Sequence, residues 1–140
     1  MDLTLAQANQ IIAAALQRSA DCGYQPMAVV VVDAAGHVKS AQRQDGASMF
    51  RIDIASGKAW ASVAMGVASR VLTQRAKDLP AFFGALASTG QGRFIPQTGA
   101  VLIKDADGRI VGAAGASGGT GDEDEAICSA GIEAAGLQPG

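Results

Sequence analysis

The chain has 140 residues, of which 49% are hydrophobic and 17% charged, with a formal net charge of −2. That is enough chain for one domain, residues 1–140, with one substantial core, and no apolar run approaches the roughly 20 residues a membrane helix needs. The 11 basic residues are scattered rather than gathered into a patch with interleaved aromatics, so neither nucleic acid nor membrane is an expected partner.

The opening "MDLTLAQANQ" has no basic region followed by an apolar one, so it does not read as a signal peptide, and a cytoplasmic protein is expected. Thr4 and Gln7 form a capping box, and Leu5, Ala8, Ile11, Ile12, Ala15 and Leu16 recur at helical spacing. A helix is predicted to about Cys22, ended by Gly23. The run "MAVVVV" is continuous and β-branched, which suits a strand buried on both faces. "DAAG" makes a tight turn, and His37 to Gln44 reads as the return strand. Its alternation places His37, Lys39, Ala41 and Arg43 on one face.

"DGAS" breaks that strand, and Ser48 is a candidate cap for a helix from about Met49 to Ser69 with a stripe of small residues, Ala55, Ala59, Ser62, Val63 and Gly66. Further helical stretches are predicted around Leu72 to Lys77 and from Pro80 to Ala87. "RFIPQ" reads as a short edge strand. "GAVLIKDADGRIVGAAGA" is a hairpin with its turn at Asp105 to Gly108. A glycine-rich loop follows, and a final helix is expected over Asp124 to Ala135. Helices around hairpins give an α+β fold, an α-β-α sandwich with a mainly antiparallel sheet.

The loop "GAAGASGGTGDEDEA" looks like a phosphate cradle and lacks the chemistry of one. No Lys-Ser or Lys-Thr pair follows Gly121, as a P-loop requires, and hairpins do not supply the parallel unit of a dinucleotide fold. Asp122, Glu123, Asp124 and Glu125 complement the positive end of the helix that follows and would repel an anion. The glycines are better read as a close-approach turn. Four adjacent carboxylates point around a helix and not at one metal. Cys22 and Cys128 are too few for a disulfide framework and lack a metal-binding spacing, so free thiols are expected.

His37 is the one histidine, so any chemistry needing imidazole must use it, and its alternative is an exposed residue after a turn. Asp45 and Lys58 are expected to pair across the strand-to-helix corner, structurally or as acid and base. Ser117 and Thr120 lack the G-x-S-x-G elbow of a serine hydrolase.

Taken together, "VVVDAAGHVKSAQRQDGA", "RIDIASGKAWAS" and "GAVLIKDADGRIVGAAGASGGTGDEDEAICSAGI" resemble the GlcG/HbpS family of haem-degrading or haem-binding proteins, related to the carboxy-terminal domain of PduO-type proteins. The resemblance covers nearly the whole chain. It is most specific at the D-x-x-G-H turn with R-x-D-G-A after it, and at the I-D-I-A-x-x-K-A helix. It implies a profilin-like or PAS-like sandwich that assembles as a homo-oligomer, with haem or a related tetrapyrrole as cofactor.

By position, the resemblance points to His37, Arg43, Asp45, Asp53, Lys58, Gly115, Ser117, Gly118, Asp124 and Glu125. In "STGQGRFIPQTGAVLI", Arg93 and Phe94 intrude where the family pattern is richer in glycine, and this stretch is expected to line the pocket. Three readings follow. One is a tetrapyrrole module with His37 as axial metal ligand and Lys39 or Arg43 facing the propionates. Another is a catabolic enzyme for a small organic or aromatic acid, with Arg43 or Lys58 holding the carboxylate and His37, Asp45 or Glu125 as acid or base. The third is a ligand sensor or accessory protein without chemistry of its own.

Overall fold

The computed structural model describes all 140 residues. In chain order the elements are α1 (Leu5–Cys22), β1 (Ala28–Asp33), β2 (Val38–Arg43), α2 (Phe50–Met65), α3 (Ser69–Asp78), α4 (Pro80–Thr89), β3 (Ala100–Lys104), β4 (Ile110–Ser117), α5 (Gly121–Ala134) and β5 (Gln138–Pro139). The strands form one sheet in the order β2-β1-β4-β3-β5, and every pairing is antiparallel. The architecture is the α+β sandwich expected from the hairpins.

The valine run of β1 separates two cores because successive side chains leave opposite faces of a strand. Val29 and Val31 join Ile11 and Ile12 of α1 and Ile127 and Ile132 of α5. Val30 and Val32 join Ala55 and Ala59 of α2. Small residues bring these layers close. A Cβ on Gly115 of β4 would lie 2.4 Å from the Ala55 carbonyl oxygen of α2, and one on Gly131 of α5 would lie 2.4 Å from the Ile11 carbonyl oxygen of α1.

Several boundaries differ from expectation, each for a local reason. The predicted helix from Met49 to Ser69 ends at Met65, because Gly66 takes the left-handed conformation (φ 70°) and caps it. Ser69 then starts α3, and its hydroxyl accepts from the Ala100 N–H (2.8 Å) and meets the Ala100 carbonyl (3.3 Å), tying that helix to β3. Ser48 does not cap α2, whose N-cap position is Met49 with no side-chain hydrogen bond. The last helix begins at Gly121 rather than Asp124, because Thr120 and Glu123 form a reciprocal capping box.

"RFIPQ" is not a strand. Pro96 has no N–H to give a ladder, and the Ile95 N–H bonds instead to the Gly57 carbonyl of α2 (3.3 Å). The short β5, which pairs with Ile103 and Lys104, has no sequence signal beyond a few terminal residues. In β2 the register slips: Val31 faces Ser40 but Val32 faces Val38, so Lys39 is the extra residue of a bulge. Val38 and Arg43 thereby share the α2 side of the sheet, and the expected basic face of His37, Lys39 and Arg43 does not form.

The contact between Gly115 and α2 is tight enough to test. Gly115→Ala is expected to cost about 2 kcal/mol, the scale of overpacking in a closed core, read as a lower denaturation midpoint. An unchanged midpoint would show that α2 does not rest on this strand.

Candidate functional site

The turn between β1 and β2 presents the single imidazole to a cleft of about 670 Å3. Asp33 shapes this turn by accepting from the Ala35 and His37 N–H groups, both at 3.0 Å. Gly36 is required within it: its φ is 84°, and a Cβ would lie 2.9 Å from Trp60 Cδ1. The turn therefore lies directly on the indole, with His37 and Val38 on one wall and Phe50, Asp53 and Trp60 of α2 on the other. Arg93 closes a third side. Its guanidinium stands 4.7 Å from the centre of the Trp60 ring, a cation–π arrangement, while its Nε donates to the Gly90 carbonyl (3.1 Å).

Phe94, expected to line the pocket, is 7% exposed and packs with Leu72 and Phe83. It supports the cleft from behind, edge-on to Trp60 at 6.4 Å. Two of the lining side chains are apolar and exposed, Val38 at 57% and Phe50 at 60%.

A second constellation lies on the neighbouring face of α2. Lys58 Nζ is 3.0 Å from Asp124 Oδ2, with side chains 7% and 2% exposed, and it also donates to the Ala116 carbonyl (3.1 Å). Asp124 Oδ1 accepts from the Gly119 N–H (3.0 Å), so this carboxylate fastens the glycine loop to α2. Burial pushes the Asp124 carboxyl above its usual range, against the opposing pull of Lys58 and the Gly119 N–H. The pair opens on a cleft of about 470 Å3 lined by Ile54, Gln97, Thr98 and Thr120.

The expected partner of Lys58 was Asp45. That residue instead lines a different cleft, with Arg43, Gln44 and Tyr24 near the end of α1. Arg43 spends its guanidinium on the Ala47 carbonyl, and Lys39 borders yet another hollow, with Asp33 and Arg109. Glu125 accepts from Arg70 Nε (3.2 Å), and Asp122 pairs with the same guanidinium. His37, Asp45 and Glu125 are thus not gathered around one reacting centre.

The glycine loop is a place of backbone approach. Gly115 lies under α2, and a Cβ on Gly118 (φ 146°) would lie 2.2 Å from the Pro26 carbonyl oxygen. The Ser117 hydroxyl meets Arg51 at 3.3 Å. Burial drives the Cys128 thiol far above its ordinary range, which leaves it inert. No three His, Cys, Asp or Glu side chains converge as a metal site.

The sequence reading omitted Trp60 and Phe50 as cleft walls and Asp124 as the partner of Lys58. Lys58 and Asp124 both stand in the stretches that carry the family resemblance, which was the available signal.

A family model described as "Haem degrading protein HbpS-like" matches residues 3–133. The chain belongs to the HbpS-like family. It is 30% identical over 134 residues to the corrinoid adenosyltransferase PduO of Citrobacter freundii, a match covering 96% of this chain but 39% of that relative. The chain therefore spans well under half the length of this curated relative. Among solved structures, a PduOC:heme complex superposes with a TM-score of 0.87 at 29% identity, covering 98% of this chain and 97% of that one. A double mutant of HbpS from Streptomyces reticuli superposes with a TM-score of 0.83 at 28% identity, covering 95% and 86%.

Removing one member of the buried pair is expected to cost far more than removing both. Asp124→Ala leaves an ammonium buried without its counter-charge, at about 3–5 kcal/mol, whereas Lys58→Met with Asp124→Leu restores an apolar contact and recovers much of that loss. Chemical denaturation of the two variants compares them. Equal stability would mean that Lys58 finds water when Asp124 is gone.

Proposed function

We propose that this chain binds haem or a closely related tetrapyrrole in the cleft at His37. The observation that carries the reading is the position of the only imidazole of the chain, at the mouth of a cleft walled by Trp60, Phe50 and Val38 and closed by Arg93. The donor set fits this group better than a bare metal ion. No chelating cluster exists, whereas a haem iron arrives with four porphyrin nitrogens and asks the protein only for axial ligation. Trp60, Phe50 and Val38 offer the apolar surface a macrocycle buries, and His37 offers a nitrogen. Arg93 is the cleft's guanidinium, so it takes the propionate-binding role that the sequence suggested for Lys39 or Arg43. The PduOC:heme complex, similar over nearly the whole chain, supports the same reading.

Haem would supply a redox-active iron; what this chain's residues do is narrower. The Asp33 hydrogen bonds fix the backbone that presents His37, Trp60 and Phe94 brace the wall, and Arg93 brings positive charge to the rim. Haem handling by a sensing or accessory protein needs no more than this. The exposed free thiol of Cys22 suits a reducing, cytoplasmic compartment.

Titration of the purified apo-protein with haem, beside His37→Ala and Arg93→Ala, tests the proposal. A saturable Soret shift near one haem per subunit is expected. Arg93→Ala should weaken it about tenfold or more, as loss of a charge-assisted contact would, and His37→Ala should alter the band itself. No saturable shift in the wild-type protein would sink the reading.

We infer also that the chain forms a homo-oligomer through the rim of this cleft. Val38 and Phe50, both exposed, border the same cleft, and β2 is an edge strand with an unpaired outer side. Phe50→Asp is expected to lower the mass measured by light scattering. A wild-type protein already monomeric, or a variant of unchanged mass, would count against it.

A second reading, an enzyme for a small organic or aromatic acid, is favoured by one observation: the buried Lys58 and Asp124 pair also lines a cleft.

A further inference from the structure

We infer that Lys58 is a carbonyl-capturing amine, and that the cleft beside it takes a small uncharged aldehyde or ketone as a reversible imine. This inference rests on the second cleft alone and stands or falls independently of tetrapyrrole binding at His37.

The cleft is built almost wholly from polar groups, with Ile54 the one hydrophobic side chain among its lining residues. That composition suits a small oxygenated molecule better than a macrocycle. Lys58 is the only buried lysine; Lys39 and Lys77 are exposed and Lys104 is half-buried. Its Nζ is held by the Ala116 carbonyl and Asp124, two partners for a group with three donors, and Lys58 is among the residues that line the cleft. A fixed, desolvated amine next to an acid–base partner is the arrangement that makes lysine a nucleophile toward carbonyl carbon.

Asp124 supplies the proton management. Its Oδ2 lies 3.0 Å from Nζ, within direct reach of the proton that the ammonium must lose before attack. The balance is then complete without a further reagent. The Lys58 nitrogen forms a bond to the carbonyl carbon, the π electrons move to oxygen, and one proton passes from the now positively charged nitrogen to that oxygen, giving a carbinolamine. Asp124 returns its proton to that hydroxyl, water leaves, and a protonated imine remains beside the Asp124 carboxylate. One amine and one carbonyl become one imine and one water, with no change of oxidation state.

The surroundings fit this assignment. Gly99 leaves room for the amine, since a Cβ there would lie 2.7 Å from Nζ. Thr98 Oγ1, bonded to Thr73 Oγ1 at 2.9 Å, and Gln97 offer hydroxyl and amide groups to the rest of the ligand. The charge of Asp122, which lines the cleft, is balanced by Arg70.

Reductive trapping tests the inference on the whole protein. Acetaldehyde and acetone, each with cyanoborohydride, would be reacted near neutral pH, and peptide mass mapping would follow each lysine. Selective nucleophile activation predicts that Lys58 labels at least about tenfold faster than Lys39, Lys77 or Lys104 with one or both probes. Asp124→Asn should slow Lys58 at least about tenfold while leaving the other lysines unchanged, the scale of a lost acid–base partner. Ile54→Trp narrows the cleft without touching the pair and should also slow Lys58, which keeps the test available if Asp124→Asn does not fold. Labelling that follows exposure alone, with Lys58 slowest for both probes, would overturn the inference. So would Lys58 labelling that neither substitution changes. Neither outcome bears on the Soret titration, so the two sites fail separately.

Discussion

The position of α2 on the sheet depends on the absence of a side chain at Gly115. The helix backbone at Ala55 and Ala59 lies where any Cβ on that strand residue would stand, and close packing leaves no slack to absorb one. Everything placed around the two clefts hangs from this contact. Trp60 and Asp53 reach one cleft from α2, Ile54 and Lys58 reach the other, and Ala55 and Ala59 between them carry the core. A helix lifted by the width of a methyl group would move both sites together.

The connection from α4 to β3 uses the same helix as its track. Ile95 sits over Gly57, where a Cβ would meet its Cδ1 at 2.5 Å, and the Ile95 N–H bonds the Gly57 carbonyl. On one side of this anchor, Gly92 and Arg93 border the imidazole cleft; on the other, Gln97 and Thr98 border the lysine cleft. The segment is a shared wall. Its backbone joins the sheet only at Gly99, whose carbonyl accepts from the Ala116 N–H, so up to Thr98 it is shaped by α2 and by Pro96 rather than by a neighbouring strand.

Much of the fold was legible because it rests on local rules. The capping box of Thr4 and Gln7, the doubly buried valine run and the turn at Asp105 each carry their signal within a few residues. The missed features depend on partners distant in sequence or on a weak local cue overridden by context. The bulge at Lys39 shows only when β2 is laid against β1, and it removed the basic face that simple alternation predicted. Thr120 and Glu123 spell a second capping box, a local signal that places the helix start three residues before the expected Asp124. At the site, the lone His37 and the intruding Arg93 were visible as residue types. Pairing Lys58 with Asp45 followed proximity along the chain, whereas the actual partner, Asp124, is 66 residues away in sequence.

Trp60 is the one tryptophan of the chain, and it lies beneath the Arg93 guanidinium and against the turn that presents His37. Its emission is therefore a private optical report on this cleft, free of overlap from any other indole. A ligand that draws Arg93 off the ring, or that settles against the indole itself, changes the surroundings of that one fluorophore. The molecule carries its own unlabelled probe at the place where occupancy matters.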